Sequence, residues 1–184
     1  MLKRINFFGV PSVGKTTIAT GFFHYCKAKN HNCEIISELA RDWAYTDRFI
    51  KSFDQIYLTA SQMHREDTLL LRKKVDFVIS DSPILLNVFY SAIANENFTD
   101  PLIDLHALFE DQYPSMNFYI RKNEKSLYNT SGRHHDLQQL EELKEKMDLF
   151  LANYVDEKKL FVIEKAEDLD FENIYIKCGF GGLW

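Results

Sequence analysis

The sequence has few cysteines, prolines and glycines, and it has no long hydrophobic run. Its 184 residues include 3 Cys, 4 Pro and 7 Gly. Cys26, Cys33 and Cys178 are odd in number and widely spaced, which argues against a disulfide framework and against a paired metal motif, so we expect reduced, mostly buried thiols. No segment approaches the ~20 apolar residues of a membrane span. The apolar run at the N-terminus is too short for a signal peptide, and we therefore expect a cytoplasmic protein (in the host cytoplasm, if viral).

The chain also lacks an excess of positive charge. It has 22 Lys and Arg against 27 Asp and Glu, for a formal net charge of −5. This total argues weakly against a nucleic-acid binder, although it is compatible with a local basic groove. Aromatic residues are abundant, with 15 Phe and 9 Tyr, and the hydrophobic fraction is 46%. This composition and length predict one globular domain, 1–184, with a single sizeable core.

Short apolar runs alternate with longer segments of helical period. Strands are predicted at residues 5–8, 33–36, 75–79, 118–120 and 160–163, and helices at 15–29, 53–73 and about 137–154. Pro83 suits the first turn of a further helix. Strands separated by helices are typical of βαβ units, which predicts an α/β fold with a parallel five-stranded sheet flanked by helices in three layers. Ligands of such sheets bind at the carboxyl ends of the strands.

The segment from Gly9 to Thr16, GVPSVGKT, matches the phosphate-binding pattern G-x-x-x-x-G-K-[ST]. It follows an apolar strand and opens an amphipathic helix, which is the context that this pattern requires. Backbone N–H groups of such a loop surround phosphate oxygens, and the helix N-terminus adds positive potential. We expect Lys15 to reach the terminal phosphates of ATP and the Thr16 hydroxyl to bind Mg²⁺. The predicted nucleotide-binding residues are Gly9, Pro11, Ser12, Val13, Gly14, Lys15, Thr16 and Thr17.

Polar residues follow the other strands, at the edge where ligands are expected. Glu38 and Arg41 follow the second strand, Asp81 follows the third, and Arg121 follows the fourth. A GTPase would carry an Asn-Lys-x-Asp segment to read its base, and the sequence contains none. The small size and the basic segment at about 121–136, which includes Arg133, favour a kinase with a short arginine-bearing lid. Arg121 and Arg133 would then stabilise transition-state charge, and a solvated basic loop is the alternative.

The two carboxylates have two candidate roles each. Asp81 follows an apolar strand, as the acidic residue of a Walker B strand does, so it can bind Mg²⁺ or accept a proton. The alternative is that Asp81 or Ser82 caps the next helix, with Ser82 nearer the cap position. Glu38 is a candidate general base, or else an exposed residue at the start of a helix. Arg41 is placed either to hold an acceptor phosphate or to pair with Glu38. Which carboxylate is the base is left open by the sequence.

These residues together resemble small P-loop kinases related to the ribosylnicotinamide kinase domain, an AAA-like ATPase/kinase family common in bacteria and phages. The resemblance rests on the phosphate loop, Glu38 with Arg41, Asp81-Ser82-Pro83, Gln62, Arg121, Tyr128 and Gly132-Arg133. It implies a nucleoside-like acceptor, with Gln62 placed to read a pyrimidine edge. Trp43, Tyr45, Phe53 and Tyr57 are candidates to stack on the acceptor base, and core packing is their alternative.

Three acceptors fit this prediction: a free nucleoside or ribosylnicotinamide, a nucleoside monophosphate, and a hydroxymethylated pyrimidine in DNA, as in phage kinases that the chain resembles. The last would need rings that hold an extruded base. A P-loop NTPase that acts as a regulatory or assembly switch is the alternative function, and a non-catalytic nucleotide-binding module is a second rival. The sequence does not predict an oligomeric state. Glycines in the tail, 178–184, suggest that it is flexible.

Overall fold

A computed structural model describes residues 2–44, 46, 48–51, 53–121, 137–164 and 169–181. The strands are β1 (Arg4–Phe8), β2 (Cys33–Ile36), β3 (Phe77–Ser80), β4 (Ser115–Ile120) and β5 (Leu160–Ile163). The helices are α1 (Lys15–Ala28), α2 (Ala40–Ala44), α3 (Asp54–Leu70), α4 (Ile84–Ile93), α5 (Thr99–Gln112), α6 (Leu137–Tyr154) and α7 (Phe171–Lys177), with a 3₁₀ turn at Glu157–Lys159.

The five strands form one sheet in the order β2-β3-β1-β4-β5. All four neighbouring pairs are parallel. This confirms the predicted α/β class with its parallel five-stranded sheet and flanking helices. Since parallel strands end at the same edge, the segments that follow β1, β2, β3 and β4 meet there. β1 lies in the middle, with β3 on one side and β4 on the other.

Helices cover both faces of the sheet, and β1 is buried along its whole length. Ile5 and Phe7 pack with Phe22 of α1 and Ile174 of α7 on one face. Phe8 points to the opposite face, where residues of α4 and α6 surround it. Successive residues of a strand point to opposite faces, so the uninterrupted apolar run of β1 reflects a sheet with two buried faces.

The observed elements differ from the predicted ones in several places. The third strand begins at Phe77, two residues after its predicted start, and α3 ends at Leu70, three residues early. The early end has a local cause, because Lys73 adopts a positive φ of 50° that a helix cannot contain. Pro83 is the N-cap of α4, just before its first turn. The short helices α2 and α7, and also α5, were not predicted.

The cysteines and part of the tail are packed into the body of the protein. All three cysteines are free and buried, as predicted. In the tail that was expected to be flexible, Phe180 stacks on Phe77 with ring centroids 4.8 Å apart. Among the described residues, no helix has the length and apolar character that crossing a membrane requires. Residues 182–184 lie outside the described part of the chain.

A buried cluster of charges lies at the amino end of β1, at the edge of the sheet opposite to the phosphate loop. Arg4 is 1% exposed, and its Nε donates to the backbone oxygen of Tyr113 at 2.7 Å. Its guanidinium pairs with Glu110 and lies 3.6 Å from Oε2 of Glu66. Burial raises the pKa of Glu66 despite the nearby Arg4. Burial alone would also raise the pKa of Glu110, but Arg4 and the Ser115 donors outweigh it and the pKa is lowered.

His106 of α5 makes the stability of this cluster dependent on pH. Burial and the charge of Arg4 lower its pKa from 6.5 to about 4. The unfolded chain therefore takes up a proton on His106 at a higher pH than the folded chain does, and stability is lost as the pH falls from about 6.5 to about 4. At about 1.4 kcal/mol per pKa unit, this group should lower the free energy of unfolding by about 3 kcal/mol between pH 7 and pH 4. Urea unfolding of wild type and His106→Gln across this range should show a smaller loss in the variant, and parallel pH profiles would contradict this prediction.

Candidate functional site

The phosphate loop leaves β1 in the centre of the sheet and has the backbone of an anion-binding loop. Ser12 and Gly14 have positive φ values of 77° and 90°. A Cβ atom built on Gly14 would meet nothing within 4 Å, so open space lies in front of this residue. Residues of alternating handedness turn successive N–H groups to one side, which is the arrangement that surrounds a phosphate.

Two further features of the loop fit a phosphate group. The N-cap of α1 is Gly14, with no side-chain cap, and the first turn of α1 contains no acidic residue. The first N–H groups of α1 therefore have no capping side chain, and the positive end of the helix dipole faces the loop. The Ser12 hydroxyl is buried and has no hydrogen-bond partner among the described residues. Lys15 Nζ lies 3.0 Å from the Val10 carbonyl oxygen, so its ammonium group folds back over the loop.

Four polar side chains from three segments of the chain converge at the end of the loop. Asp81 follows β3, which neighbours β1, and Glu38 follows β2 at the edge of the sheet. Arg41, in α2, donates a hydrogen bond from Nη2 to Oγ1 of Thr16. The same nitrogen lies 3.5 Å from Oδ2 of Asp81 and 3.8 Å from Oε2 of Glu38. The structure thus brings the predicted residues Thr16, Glu38, Arg41 and Asp81 together around one guanidinium group.

Asp81 is the most deeply buried member of this group. It is 2% exposed, and its Oδ1 atom has no hydrogen-bond partner within the described residues. The N-cap of α4 is Pro83, and no side chain caps this helix. The capping alternative for Asp81 and Ser82 is therefore not what the structure shows. A buried carboxylate oxygen with unused acceptor capacity fits a cation or a hydroxyl group, because leaving it unpaired costs free energy.

Gln62 lies inside the protein next to Asp81. It is 4% exposed, and its Nε2 is within 2.6 Å of the Ser82 carbonyl oxygen and 3.0 Å of both Ser80 Oγ and Glu66 Oε1. Two amide hydrogens are thus shared among three acceptors. These contacts tie the Ser80 side chain and the Ser82 backbone, on either side of Asp81, to α3. The role of Gln62 in reading an acceptor base stays a prediction, and here its amide nitrogen serves internal contacts.

The aromatic residues predicted to stack on an acceptor form two pairs. Trp43 stacks on Tyr57, with centroids 5.7 Å apart, and the Arg48 guanidinium lies 3.8 Å from the Trp43 ring centroid. Phe53 stacks on Phe98 at 5.5 Å. Tyr57 and Phe53 are 56% and 73% exposed, so core packing does not account for them. Tyr45 lies outside the described residues.

Tyr90 of α4 belongs to this edge of the site and was not predicted from the sequence. Burial raises its pKa, and the charge of Glu38 raises it further, which places the phenol within electrostatic range of that carboxylate. No motif marks Tyr90. Its only sequence signal is that α4 follows Asp81, so that residues in its second turn can flank the same edge.

Arg121, one of the two predicted transition-state arginines, is not part of the convergent group. Arg121 Nη2 lies 2.7 Å from Asp148 Oδ2 of α6, and Nη1 lies 3.4 Å from Glu164 Oε1. Its backbone N–H donates to Ile163. Arg133 and the rest of the proposed lid, 122–136, lie outside the described residues. The roles of both arginines stay predictions.

A comparison with models of known protein families found a match. A family model described as an AAA domain matches residues 4–165, which is most of the chain. None of the curated proteins matches the sequence.

Solved structures share the fold at low sequence identity. Thymidylate kinase from Ehrlichia chaffeensis superposes with a TM-score of 0.66 at 16% identity, over 95% of this chain and 97% of that chain. NadR protein in complex with NAD and AMP-PNP gives a TM-score of 0.72 at 13% identity, over 100% of this chain and 51% of that one. NadR in complex with NR gives 0.69 at 14%, over 97% and 50%. The chain thus spans about half the length of the NadR chains, and identities this low establish the shared fold alone.

Replacing Gln62 by Leu should destabilise the protein. The substitution removes the donor to Ser82 and leaves buried acceptors of Ser80 and Glu66 without it, which should cost about 1–3 kcal/mol. At this chain length the melting temperature should fall by about 2–4 °C per kcal/mol. Calorimetry and urea unfolding measure both quantities. If Gln62→Leu instead has wild-type stability and a raised KM for the acceptor, Gln62 contacts the acceptor.

Proposed function

Because the chain belongs to the AAA domain family, we propose that it is an ATP- and Mg²⁺-dependent kinase that transfers the γ-phosphate to a hydroxyl group of a nucleoside-like acceptor. The observation that carries this proposal is the convergence of Glu38 and Asp81 beside Thr16 of the phosphate loop. Two carboxylates at that place provide for both a metal and an attacking hydroxyl. Nucleotide hydrolysis by a switch protein needs no second carboxylate at this place.

The phosphate loop supplies the donor half of the site. Its N–H groups, the N-terminus of α1 and Lys15 would hold the phosphates of ATP and neutralise the charge that spreads over the γ-phosphate oxygens. Thr16 Oγ1 and Asp81 would hold Mg²⁺, and the unpartnered Oδ1 of Asp81 supports this assignment. Bound Mg²⁺ would neutralise charge on the phosphate oxygens. These residues act by positioning and by charge, which is most of what phosphoryl transfer requires.

Glu38 is the better candidate for the acceptor side. Its side chain is 32% exposed, whereas that of Asp81 is 1% exposed, and it lies within electrostatic range of Tyr90. The acceptor oxygen attacks the γ-phosphorus, the bond to the β–γ bridging oxygen breaks, and ADP leaves with the electron pair. Glu38 would receive the hydroxyl proton and later release it to water.

The acceptor class is supported by the exposed aromatic rings. The rings of Tyr57 and Phe53 are exposed to solvent, and Tyr57 stacks on Trp43 of α2, the helix that also carries Arg41. Exposed rings of this kind suit a nucleobase. The similar structures named for thymidylate kinase and for NadR with NR point to the same class of acceptor. Free nucleosides, nucleoside monophosphates and hydroxymethylated pyrimidines in DNA all satisfy this chemistry.

An acceptor screen with γ-labelled ATP and Mg²⁺ tests the proposal. Nucleosides, ribosylnicotinamide, nucleoside monophosphates, and DNA with or without hydroxymethyl-pyrimidines are offered side by side, and label should move to one class. Lys15→Ala should abolish transfer while its circular dichroism spectrum stays that of wild type. Steady ATP hydrolysis without transfer to any acceptor would favour the NTPase switch, and undiminished transfer by Lys15→Ala would contradict the assigned phosphate loop.

Asp81→Asn should reduce the transfer rate by at least ~100-fold, by analogy with the loss of a charge-stabilising group at a reacting centre. The matched control is Asp76→Asn, because Asp76 precedes the same strand at its opposite end and is exposed. The control should stay close to the wild-type rate. Equal rates for the two variants, measured at saturating ATP and acceptor, would show that Asp81 has no role in the reaction.

A further inference from the structure

Arg41 lies where a P-loop site would hold its divalent cation. Its Nη2 donates to Oγ1 of Thr16 and is 3.5 Å from Oδ2 of Asp81. The Thr16 hydroxyl and the Asp81 carboxylate are the two groups that the chain offers to Mg²⁺ in the proposed function, on which this inference rests. We propose that Arg41 is the resident counter-ion of the metal site in the empty protein, and that Mg²⁺ entering with the nucleotide displaces it.

Electrostatics favour this exchange of one cation for another. Asp81 is buried and shares the guanidinium with Glu38, so removal of Arg41 would leave both carboxylates without this ion pair. A Thr hydroxyl that accepts from Arg41 directs a lone pair toward the centre of the site, which is also the orientation that a metal ligand needs. Arg41 and Mg²⁺ cannot share this position, because two cations in contact repel.

Displacement of Arg41 would link the nucleotide-binding part of the site to the proposed acceptor part. α2 contains only five residues, Ala40–Ala44, and carries both Arg41 and Trp43. Trp43 in turn stacks on Tyr57 and lies under Arg48. Release of Arg41 leaves Glu38 without this ion pair, so the proposed base becomes available when the donor is loaded. Binding of the metal–nucleotide complex is therefore expected to precede productive binding of the acceptor.

The test is the metal dependence of nucleotide affinity, which is independent of turnover. AMP-PNP is titrated calorimetrically into full-length protein with Mg²⁺ or with EDTA. The quantity compared between variants is the dissociation constant in EDTA divided by the dissociation constant in Mg²⁺. In wild type, Arg41 supplies positive charge beside Thr16 when metal is absent. Arg41→Gln should lose ~10-fold or more of the metal-free affinity and none of the Mg²⁺-supported affinity, as expected for a charge-assisted hydrogen bond. The ratio should thus rise at least ~10-fold.

Arg65→Gln is the matched control. Arg65 is exposed and reaches only as far as the Ser37 carbonyl oxygen at 3.4 Å, one residue before Glu38. Its ratio should equal that of wild type. Arg41→Lys, which keeps the charge, should fall between wild type and Arg41→Gln, and it serves in its place if that variant does not fold. A ratio for both Arg41 variants within twofold of wild type would overturn the inference.

Tryptophan fluorescence gives a second readout of the same event. In a Trp184→Phe background, Trp43 is the sole tryptophan. Mg²⁺ with AMP-PNP should change its emission, whereas AMP-PNP in EDTA should change it much less, because Arg41 stays in place. Equal responses with and without metal would contradict the displacement. Failure of wild type to bind AMP-PNP even with Mg²⁺ would defeat the proposed function itself, which separates the two failures.

Discussion

The phosphate loop leaves the middle of the sheet through a space that has no room for a side chain. A Cβ atom on Gly9 would lie 2.9 Å from the carbonyl oxygen of Ile120 and 2.6 Å from Cγ2 of Val13. The Ile120 oxygen belongs to the backbone of β4 and cannot move aside, so the loop turns directly off β1 against the end of β4. This turn sets Gly14 and the first turn of α1 at the carboxyl edge of the sheet. Every other functional side chain is placed relative to that point.

The strand order then decides which residues meet the loop. β3 neighbours β1, so Asp81 lies beside Thr16, and β2 contributes Glu38 and Arg41 from one strand further out. On the other side of β1, Arg121 at the end of β4 is held by Asp148 and Glu164. The site is therefore asymmetric: Asp81, Glu38 and Arg41 lie on the β3 side of β1, and Arg121 with its two carboxylate partners lies on the β4 side.

Local patterns were enough to predict the strands and the loop, but not the contacts between segments. The apolar runs around Phe7, Val78 and Phe118 predict strands because both faces of the sheet are covered. The phosphate loop is predicted because its spacing is itself the chemical requirement.

α5 was missed because Leu105 and Leu108 are exposed and blur its helical period. The contact of Arg41 with Thr16 spans 25 positions and depends on how a short helix is placed, which no spacing encodes. The pairing of Arg41 with Glu38, three residues before it, was one of the alternatives predicted from the sequence, and the structure contains it.

The family, the fold and the convergent carboxylates lead to one central claim, that the γ-phosphate passes to an acceptor hydroxyl and not to water. A single-turnover reaction in ¹⁸O-labelled water, with ATP, Mg²⁺ and a mixture of nucleoside-like acceptors, tests this claim by mass spectrometry. The account predicts a phosphorylated acceptor that contains no solvent oxygen, together with ADP and little inorganic phosphate. Inorganic phosphate carrying one ¹⁸O atom as the main product, with every acceptor unmodified, would contradict it.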